Sequence, residues 1–175
     1  MTLTTTLTQP RTLDDLLNYR LLKLYALSGA PVIRLLEGRY GIARREWRLI
    51  ALLASRGPLS PSALADEAQL DRPRTSRAIG TLSAKGLLAR VPQPGDHRRA
   101  QVALTDAGQA LVDEVFPQVA AINSAVVAAL DPAAVRALDQ ALSRLTAQAR
   151  RLNQELVQDV RADRRAGGSR RVQRP

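Results

Sequence analysis

Three arginines lie close together at the start of a predicted helix. The helix begins near Asp71, and Arg72, Arg74 and Arg77 occupy its first two turns. Guanidinium groups in this arrangement can bind phosphates and can donate two hydrogen bonds to the edge of a guanine. Basic residues on an exposed helix are often only solvated, but cations at a helix N-terminus oppose the helix dipole and gain no stability there. The spacing therefore favours contact with duplex DNA.

A second basic cluster follows, at the tip of a predicted hairpin. Residues 88–92 and 100–104 alternate in polarity and are separated by turn residues, which is typical of two paired strands. Arg98 and Arg99 at the tip could enter the minor groove or bind phosphate. Asp96 could hold the loop in shape by pairing with Arg98. A purely structural pair is the alternative, and both roles can hold together.

The predicted helix has an inner and an outer face. Thr75, Ile79 and Leu82 recur at helical spacing and are predicted to point inward, with Gly86 as the C-terminal stop. Ser60, followed by a proline, is a predicted N-cap of a shorter helix before it, so the two form a helix-turn-helix. The predicted DNA contacts comprise the whole run at the helix start, its inward threonine included, and the two hairpin arginines: Arg72, Pro73, Arg74, Thr75, Ser76, Arg77, Arg98 and Arg99.

Two long helices are predicted after the hairpin. Thr105 can cap the first, and Asp131 with Pro132 separates it from the second. The second helix carries apolar residues at alternating spacings of three and four, a heptad seam that needs a partner helix. Spacing alone leaves open whether that partner is the N-terminal helix of the same chain or a second copy. The seam consists of Val135, Leu138, Leu142, Leu145, Ala149, Leu152 and Leu156.

The composition is strongly basic and lacks cysteine. The 175 residues carry a formal net charge of +10, and a protein of this kind binds polyanions with strongly salt-dependent affinity. Without cysteine there is no disulfide, no zinc–thiolate site and no cysteine-based redox sensor. The single histidine, His97, lies in the hairpin tip, and no serine or carboxylate has a partner at motif spacing. We therefore expect no enzyme, no cofactor and no metal.

These segments resemble the multiple-antibiotic-resistance regulator (MarR) family of winged helix-turn-helix transcription factors. The resemblance covers residues 13–152 and is most specific in REWRLIALLA (45–54), LDRPRTSRAIGTLSAKGLLAR (70–90) and DHRRAQVALTDAG (96–108). The last segment fits the family's wing pattern of Asp, any residue, Arg and, six residues on, Leu-Thr. The resemblance implies a mainly α fold, with a two-stranded β wing and a helical dimerisation region formed by the N- and C-terminal helices. It also implies a homodimer that represses genes until a small molecule releases it.

Two positions depart from the family pattern. Pro73 and Arg74 stand where the family often has small hydroxyl residues, and Thr75 stands where an aliphatic residue is common, so an operator sequence cannot be transferred. Ala43 stands where a hydroxyl N-cap is frequent, which weakens the start of the Trp47 helix by about 1 kcal/mol.

Composition and the resemblance together divide the chain into five predicted segments. The C-terminal segment (161–175) is rich in arginine and could contact phosphate as a non-specific arm or be a solvated end. Dimerisation is assigned to the seam positions Val135, Leu138, Leu142, Leu145 and Leu152. The segments are a mobile arm (1–10), an N-terminal dimerisation helix (11–36), a winged helix-turn-helix domain (40–104), C-terminal dimerisation helices (105–160) and a disordered tail (161–175).

One arginine interrupts the apolar stripe of the predicted N-terminal helix. Arg20 could receive the carboxylate of an aromatic acid, with Tyr19, Tyr25 or Trp47 supplying apolar contact. The resemblance supports this hypothesis, because family members often sense aromatic acids in a cleft between the dimer region and the DNA-binding lobe. Alternatively the guanidinium snorkels to solvent or pairs with an acid of this chain, the candidates being Asp14, Asp15 and Glu37.

The sequence thus predicts a ligand-responsive, sequence-specific DNA-binding repressor that acts as a homodimer on a pseudo-palindromic operator. The absence of a leader and of a run of 18 apolar residues predicts a cytoplasmic protein without membrane contact. A non-specific architectural DNA binder is the main alternative, since charge alone would suffice for it. A third class, an interaction module built on the heptad helix, predicts that activity survives replacement of Arg74 and Arg77.

Overall fold

The computed structural model describes residues 6–93 and 96–159, without the side chains of residues 93, 96–99 and 156–159. Within these residues the chain forms a short 3-10 turn, six α-helices and one antiparallel two-stranded sheet, which confirms the predicted fold class. The arginine-rich tail and the first half of the N-terminal arm lie outside the described residues. In chain order the elements are the turn (Leu13–Asp15), α1 (Leu17–Arg39), α2 (Arg44–Arg56), α3 (Pro61–Glu67), α4 (Arg72–Ala84), β1 (Leu88–Gln93), β2 (Asp96–Leu104), α5 (Asp106–Val127) and α6 (Pro132–Asp159).

Local capping residues set the boundaries of the central helices. The side chains of Ser60, Asp71 and Thr105 accept first-turn backbone N–H groups at 3.2, 2.8 and 3.0 Å, as the sequence predicts. Gly57 and Gly86 follow α2 and α4 with φ angles of +77° and +71°, a left-handed conformation that favours glycine. The predicted helix starts at Ser60, Asp71 and Thr105 and the predicted stop at Gly86 are therefore confirmed.

The start of α2 is stabilised by a carboxylate in place of a hydroxyl cap. The backbone N–H of Ala43 donates to Glu46 Oε2 at 3.0 Å, so one half of a capping box remains. Lys85, which follows α4, lies 3.4 Å from the same carboxylate oxygen and donates to the carbonyl of Gly41 at 2.7 Å. The end of α4 is thereby attached to the segment that precedes α2.

One hydrophobic core lies beneath the helix-turn-helix. The predicted inward residues Thr75, Ile79 and Leu82 are all buried in it. The loop before α3 joins it through Leu59, whose backbone pairs with Val102 of β2 at 3.1 and 2.8 Å. Its largest fully buried side chains are Leu36, Ile42, Leu49, Ile50, Leu64, Ile79, Leu82, Val102, Val115 and Thr75.

The wing is a regular hairpin over its described pairs. Leu88 lies opposite Leu104, and the pairing continues to Pro92 opposite Ala100, with an irregularity between Pro92 and Gln93. This is the two-stranded pattern that the alternation predicts.

The seam of α6 is uncovered within the chain. Leu138, Leu142, Leu145 and Leu152 are each 42–43% exposed. Apolar side chains on α1 are also exposed, so α1 does not cover the seam. Among the described residues, no helix of the same chain covers the seam. The intramolecular partner helix, one of the two alternatives that the heptad spacing left open, is therefore absent.

α5 is long and apolar enough to cross a membrane, judged by length and composition alone. One such helix is weak evidence, and 11% of its apolar window is buried within the single chain. Val112 and Val115 of α5 are buried, and both belong to the core beneath the helix-turn-helix. We therefore treat α5 as part of the folded domain.

Candidate nucleic-acid interface

The outer face of α4 carries basic and small side chains. Arg72, Pro73, Arg74, Ser76 and Arg77 are all exposed, away from the inward residues of the same helix. The inner face of the same helix is buried in the core, so the arginine row has a fixed orientation relative to the domain. Such a row at the start of a helix can contact phosphates and base edges together.

Thr75 does not belong to this surface. Its side chain is 1% exposed, and its hydroxyl donates to the carbonyl of Asp71 at 2.9 Å. The hydroxyl is thus used within the helix start and cannot reach a nucleic acid. The assignment of Thr75 to the DNA contacts is wrong, and its inward direction is confirmed.

Hydrogen bonds hold the end of α4 to its neighbours. Thr105 donates from its hydroxyl to the carbonyl of Gly86 at 2.7 Å and from its backbone N–H to that of Leu87 at 3.2 Å. A Cβ at Gly108 would collide with the same carbonyl oxygen of Leu87, so the backbone of α5 approaches this loop as closely as glycine allows. Together with Lys85, these contacts attach the C-terminal end of α4 to the starts of α2 and α5.

The three arginines of α4 differ in their surroundings. Arg74 Nε lies 3.2 Å from Asp71 Oδ2, with 42% and 29% of the two side chains exposed. The guanidinium groups of Arg72 and Arg77 have no hydrogen bond or ion pair with any described residue. Two charges are thus free for a partner, and one is already oriented by a carboxylate.

The predicted residues of the wing tip lie at the edge of the described region. The backbone of Asp96, Arg98 and Arg99 belongs to β2, but their side chains are among those outside the description. Their predicted contacts with DNA and with one another stay predictions.

The residues predicted to bind a ligand are distributed over two sites. Trp47 is 7% exposed and belongs to the core, whereas Arg20 is exposed on α1. Tyr19 lies beside Lys23, whose ammonium is 5.6 Å from the ring centroid. Tyr25 is on α1 but contacts α2. The described contacts therefore do not bring the four predicted residues together.

Neither neighbouring acid pairs with Arg20. Asp14 binds Lys23 at 2.9 Å, and this hydrogen bond raises the pKa of Lys23. Asp15 accepts the backbone N–H groups of Arg11 and Thr12 at 3.0 and 2.9 Å, and the bond from Arg11 is the main cause of its lowered pKa. Both carboxylates are thus engaged, and Arg20 stays free for solvent or a partner. Glu37 is about 25 Å further along the helix, at 1.5 Å per residue, and is out of reach.

A different basic cluster joins α1 to α2. The guanidinium of Arg44 lies over the ring of Tyr25 at 4.3 Å from its centroid, and Arg48 donates to the Tyr25 hydroxyl at 3.1 Å. Arg48 also donates to the carbonyl of Ala68 at 2.9 Å. A Cβ at Gly29 would be 2.6 Å from Arg44 Nη1, so glycine makes room for this side chain. Sequence reasoning missed the cluster; the only available signal was two arginines four residues apart on one helix face.

The family model that matches this chain is that of the MarR family, over residues 40–99. The HTH-type transcriptional regulator FarR of Neisseria gonorrhoeae is 35% identical over 78 residues, which are 45% of this chain and 53% of FarR. Residues 40–99 of this chain thus match the MarR family. It spans about half the length of the curated relatives that it matches.

Solved MarR structures share the fold. A MarR family transcriptional regulator from Silicibacter pomeroyi superposes with a TM-score of 0.70 at 24% identity, covering 77% of this chain and 89% of that one. BpsR of Bordetella bronchiseptica gives 0.68 at 23% identity, covering 78% and 97%. The described part of this chain therefore has the fold of these regulators.

Proposed function

We propose that this protein is a homodimeric, sequence-specific transcription regulator of the cytoplasm, a repressor that leaves a pseudo-palindromic operator when a small ligand binds. The exposed arginine row of α4, whose inner face is buried in the core and whose C-terminal end is attached to the starts of α2 and α5, is the observation that carries the proposal. A basic helix start presented on a folded domain suits major-groove recognition.

The dimer is supported by the uncovered apolar side chains of the long helices. Leucines on α1 and α6 and Phe116 on α5 are exposed in the single chain. Exposed apolar side chains repeated along long helices are typical of an interface. A two-fold axis through these helices presents two α4 helices to successive major grooves, about one helical turn apart.

The ligand that we propose is an aromatic carboxylate, bound where Tyr25 meets Arg44 and Arg48. Two guanidinium groups beside an aromatic ring suit an anionic aromatic molecule, and neither has an ion-pair partner among the described residues. The BpsR structure is described as showing regulation of DNA binding by 6-hydroxynicotinic acid, an aromatic carboxylate. Arg20 is the second candidate, because its guanidinium is also free.

The first experiment compares two DNA duplexes. Purified protein is titrated at physiological salt onto DNA from upstream of its own gene and onto a scrambled duplex of equal length. We expect a preference of about a thousandfold or more, in the range of specific regulators. Near-equal binding would contradict an operator in that region and favour the architectural alternative.

Removal of Arg72 or of Arg77 should weaken binding to the two duplexes equally. Arg72→Ala and Arg77→Ala each remove two cations per dimer, so the slope of log K against log salt should fall by about 2. Binding is measured between about 50 and 200 mM salt. Arg144→Ala, which removes the same charge from an exposed position on α6, is the matched control and should leave the slope unchanged. An unchanged slope in the α4 variants would place phosphate binding elsewhere.

The ligand proposal is tested with 6-hydroxynicotinate and its uncharged amide. We expect the carboxylate, and not the amide, to raise the operator Kd at least tenfold, because the carboxylate binds the DNA-free state of the protein more tightly than the DNA-bound state. Arg44→Ala should abolish this response while leaving DNA affinity without ligand intact. Arg20→Ala should respond like the unmodified protein. If Arg20→Ala abolishes the response and Arg44→Ala retains it, the ligand site lies at Arg20. If the unmodified protein responds to neither compound, the result contradicts an effector of this class.

A further inference from the structure

We infer that Arg74 is the base-reading arginine of α4 and that Asp71 is the residue that positions it. The inference rests on the proposed function, since it assigns separate roles within the same DNA interface. It is carried by one feature of the structure, the double use of the Asp71 carboxylate.

The two oxygens of Asp71 bind two different groups of the same residue. Oδ1 accepts the backbone N–H of Arg74 at 2.8 Å and so caps the helix. Oδ2 lies 3.2 Å from Nε of the Arg74 side chain. A cap needs only the first contact. The second contact is an ion pair at Nε, and it favours one direction of the guanidinium from the helix.

The contact at Nε leaves the far edge of the guanidinium available. Nη1 and Nη2 make no hydrogen bond with any described residue, and together they can donate two parallel bonds to the N7 and O6 atoms of guanine. Arginine loses much side-chain freedom when it binds, so a preset plane favours a geometrically demanding partner. Pro73 supports this orientation, because its fixed φ angle stiffens the turn between Asp71 and Arg74.

The same carboxylate makes Arg74 a poor phosphate ligand. Its negative charge offsets that of the guanidinium and would repel a phosphate placed nearby. Arg72 and Arg77 carry no such partner and are exposed. The division that follows is phosphate binding by Arg72 and Arg77, and base recognition by Arg74.

The test uses variants that separate the cap from the ion pair. In Asp71→Ser the hydroxyl retains the N-cap, since serine and aspartate cap equally well, but the partner of Arg74 Nε is lost. Asp71→Asn serves as a second variant with a retained cap. Thermal unfolding checks that both fold like the unmodified protein. Each is titrated onto the operator and onto duplexes with every guanine of a half-site replaced in turn.

The unmodified protein should discriminate against replacement of one guanine per half-site by about 10- to 100-fold. Arg74→Lys should abolish this preference, because an ammonium cannot make the paired contact. Asp71→Ser and Asp71→Asn should reduce the preference severalfold and bind scrambled DNA more tightly, as the released arginine turns to phosphate. Arg72→Ala and Arg77→Ala should leave it unchanged.

Three results would overturn the inference. One is full retention of the guanine preference in both Asp71 variants, and another is its retention in Arg74→Lys. The third is loss of the preference in Arg72→Ala or Arg77→Ala. If the unmodified protein itself discriminates against no base replacement, the proposed function fails. A change of preference in a variant, while the unmodified protein still selects its operator, bears only on the roles of Asp71 and the arginines.

Discussion

Gly108→Ala is expected to destabilise the folded domain by about 3 kcal/mol or more, at the upper end of overpacking penalties. The added Cβ would overlap the carbonyl oxygen of Leu87 and lie 3.1 Å from a methyl group of Leu104. The carbonyl cannot easily retreat, because it accepts the backbone N–H of Thr105 at 3.2 Å. Relief of the clash therefore requires that α5 and the end of α4 separate.

The measurement is urea denaturation beside a matched control. Gly80 lies within α4 with nothing within 4 Å of an added Cβ. Gly80→Ala should therefore stabilise the protein by about 0.5–1 kcal/mol, the usual gain for alanine over glycine inside a helix. If Gly108→Ala is as stable as Gly80→Ala, the contact between α5 and the loop after α4 is not a close one in solution.

Two charges in the seam of α6 should separate the dimer. Leu142→Glu with Leu145→Glu removes four leucines from the proposed two-fold interface and replaces them by carboxylates that would be buried there. At about 1.5 kcal/mol for each leucine, the dimer Kd should rise by roughly four orders of magnitude. Sedimentation equilibrium measures the mass, and operator binding should fall with it, because a monomer contacts one half-site.

The matched control places the same charges on the opposite face. Gln140 and Ala147 lie at the outer heptad positions of α6 and are exposed. Gln140→Glu with Ala147→Glu should therefore leave the mass unchanged. A seam variant that stays dimeric would move the interface to α1 and α5, and a monomeric variant with intact operator affinity would contradict paired binding to a palindrome.

Local rules explain why the DNA-binding lobe was predictable. The caps Ser60, Asp71 and Thr105 and the stop Gly86 act within three or four residues, so their chemistry is readable in a single sequence. The inward face of α4 follows from helical spacing, and Thr75 shows the limit of such reasoning. Its chemical type and its place in a basic run suggest DNA contact, while its helical position buries it.

The cluster around Tyr25 shows what the sequence could not provide. Tyr25 and Arg44 are on different helices, and their contact depends on how α1 crosses α2. The crossing angle is set by packing over the whole interface, not by any local pattern. The same limitation applies to Arg20 and Trp47, which the ligand hypothesis placed in one site although Trp47 belongs to the core and Arg20 is exposed on α1.

The attachment of α4 at its C-terminal end limits how this protein can be re-engineered. Lys85 binds the carbonyl of Gly41, and Thr105 binds that of Gly86, so the supports of α4 lie well outside its own sequence. A chimera that receives α4 alone would contain its arginines but would lack the matching residues that support the helix. The smallest transplantable unit for changing operator choice is therefore the whole segment from Gly41 to Gly108.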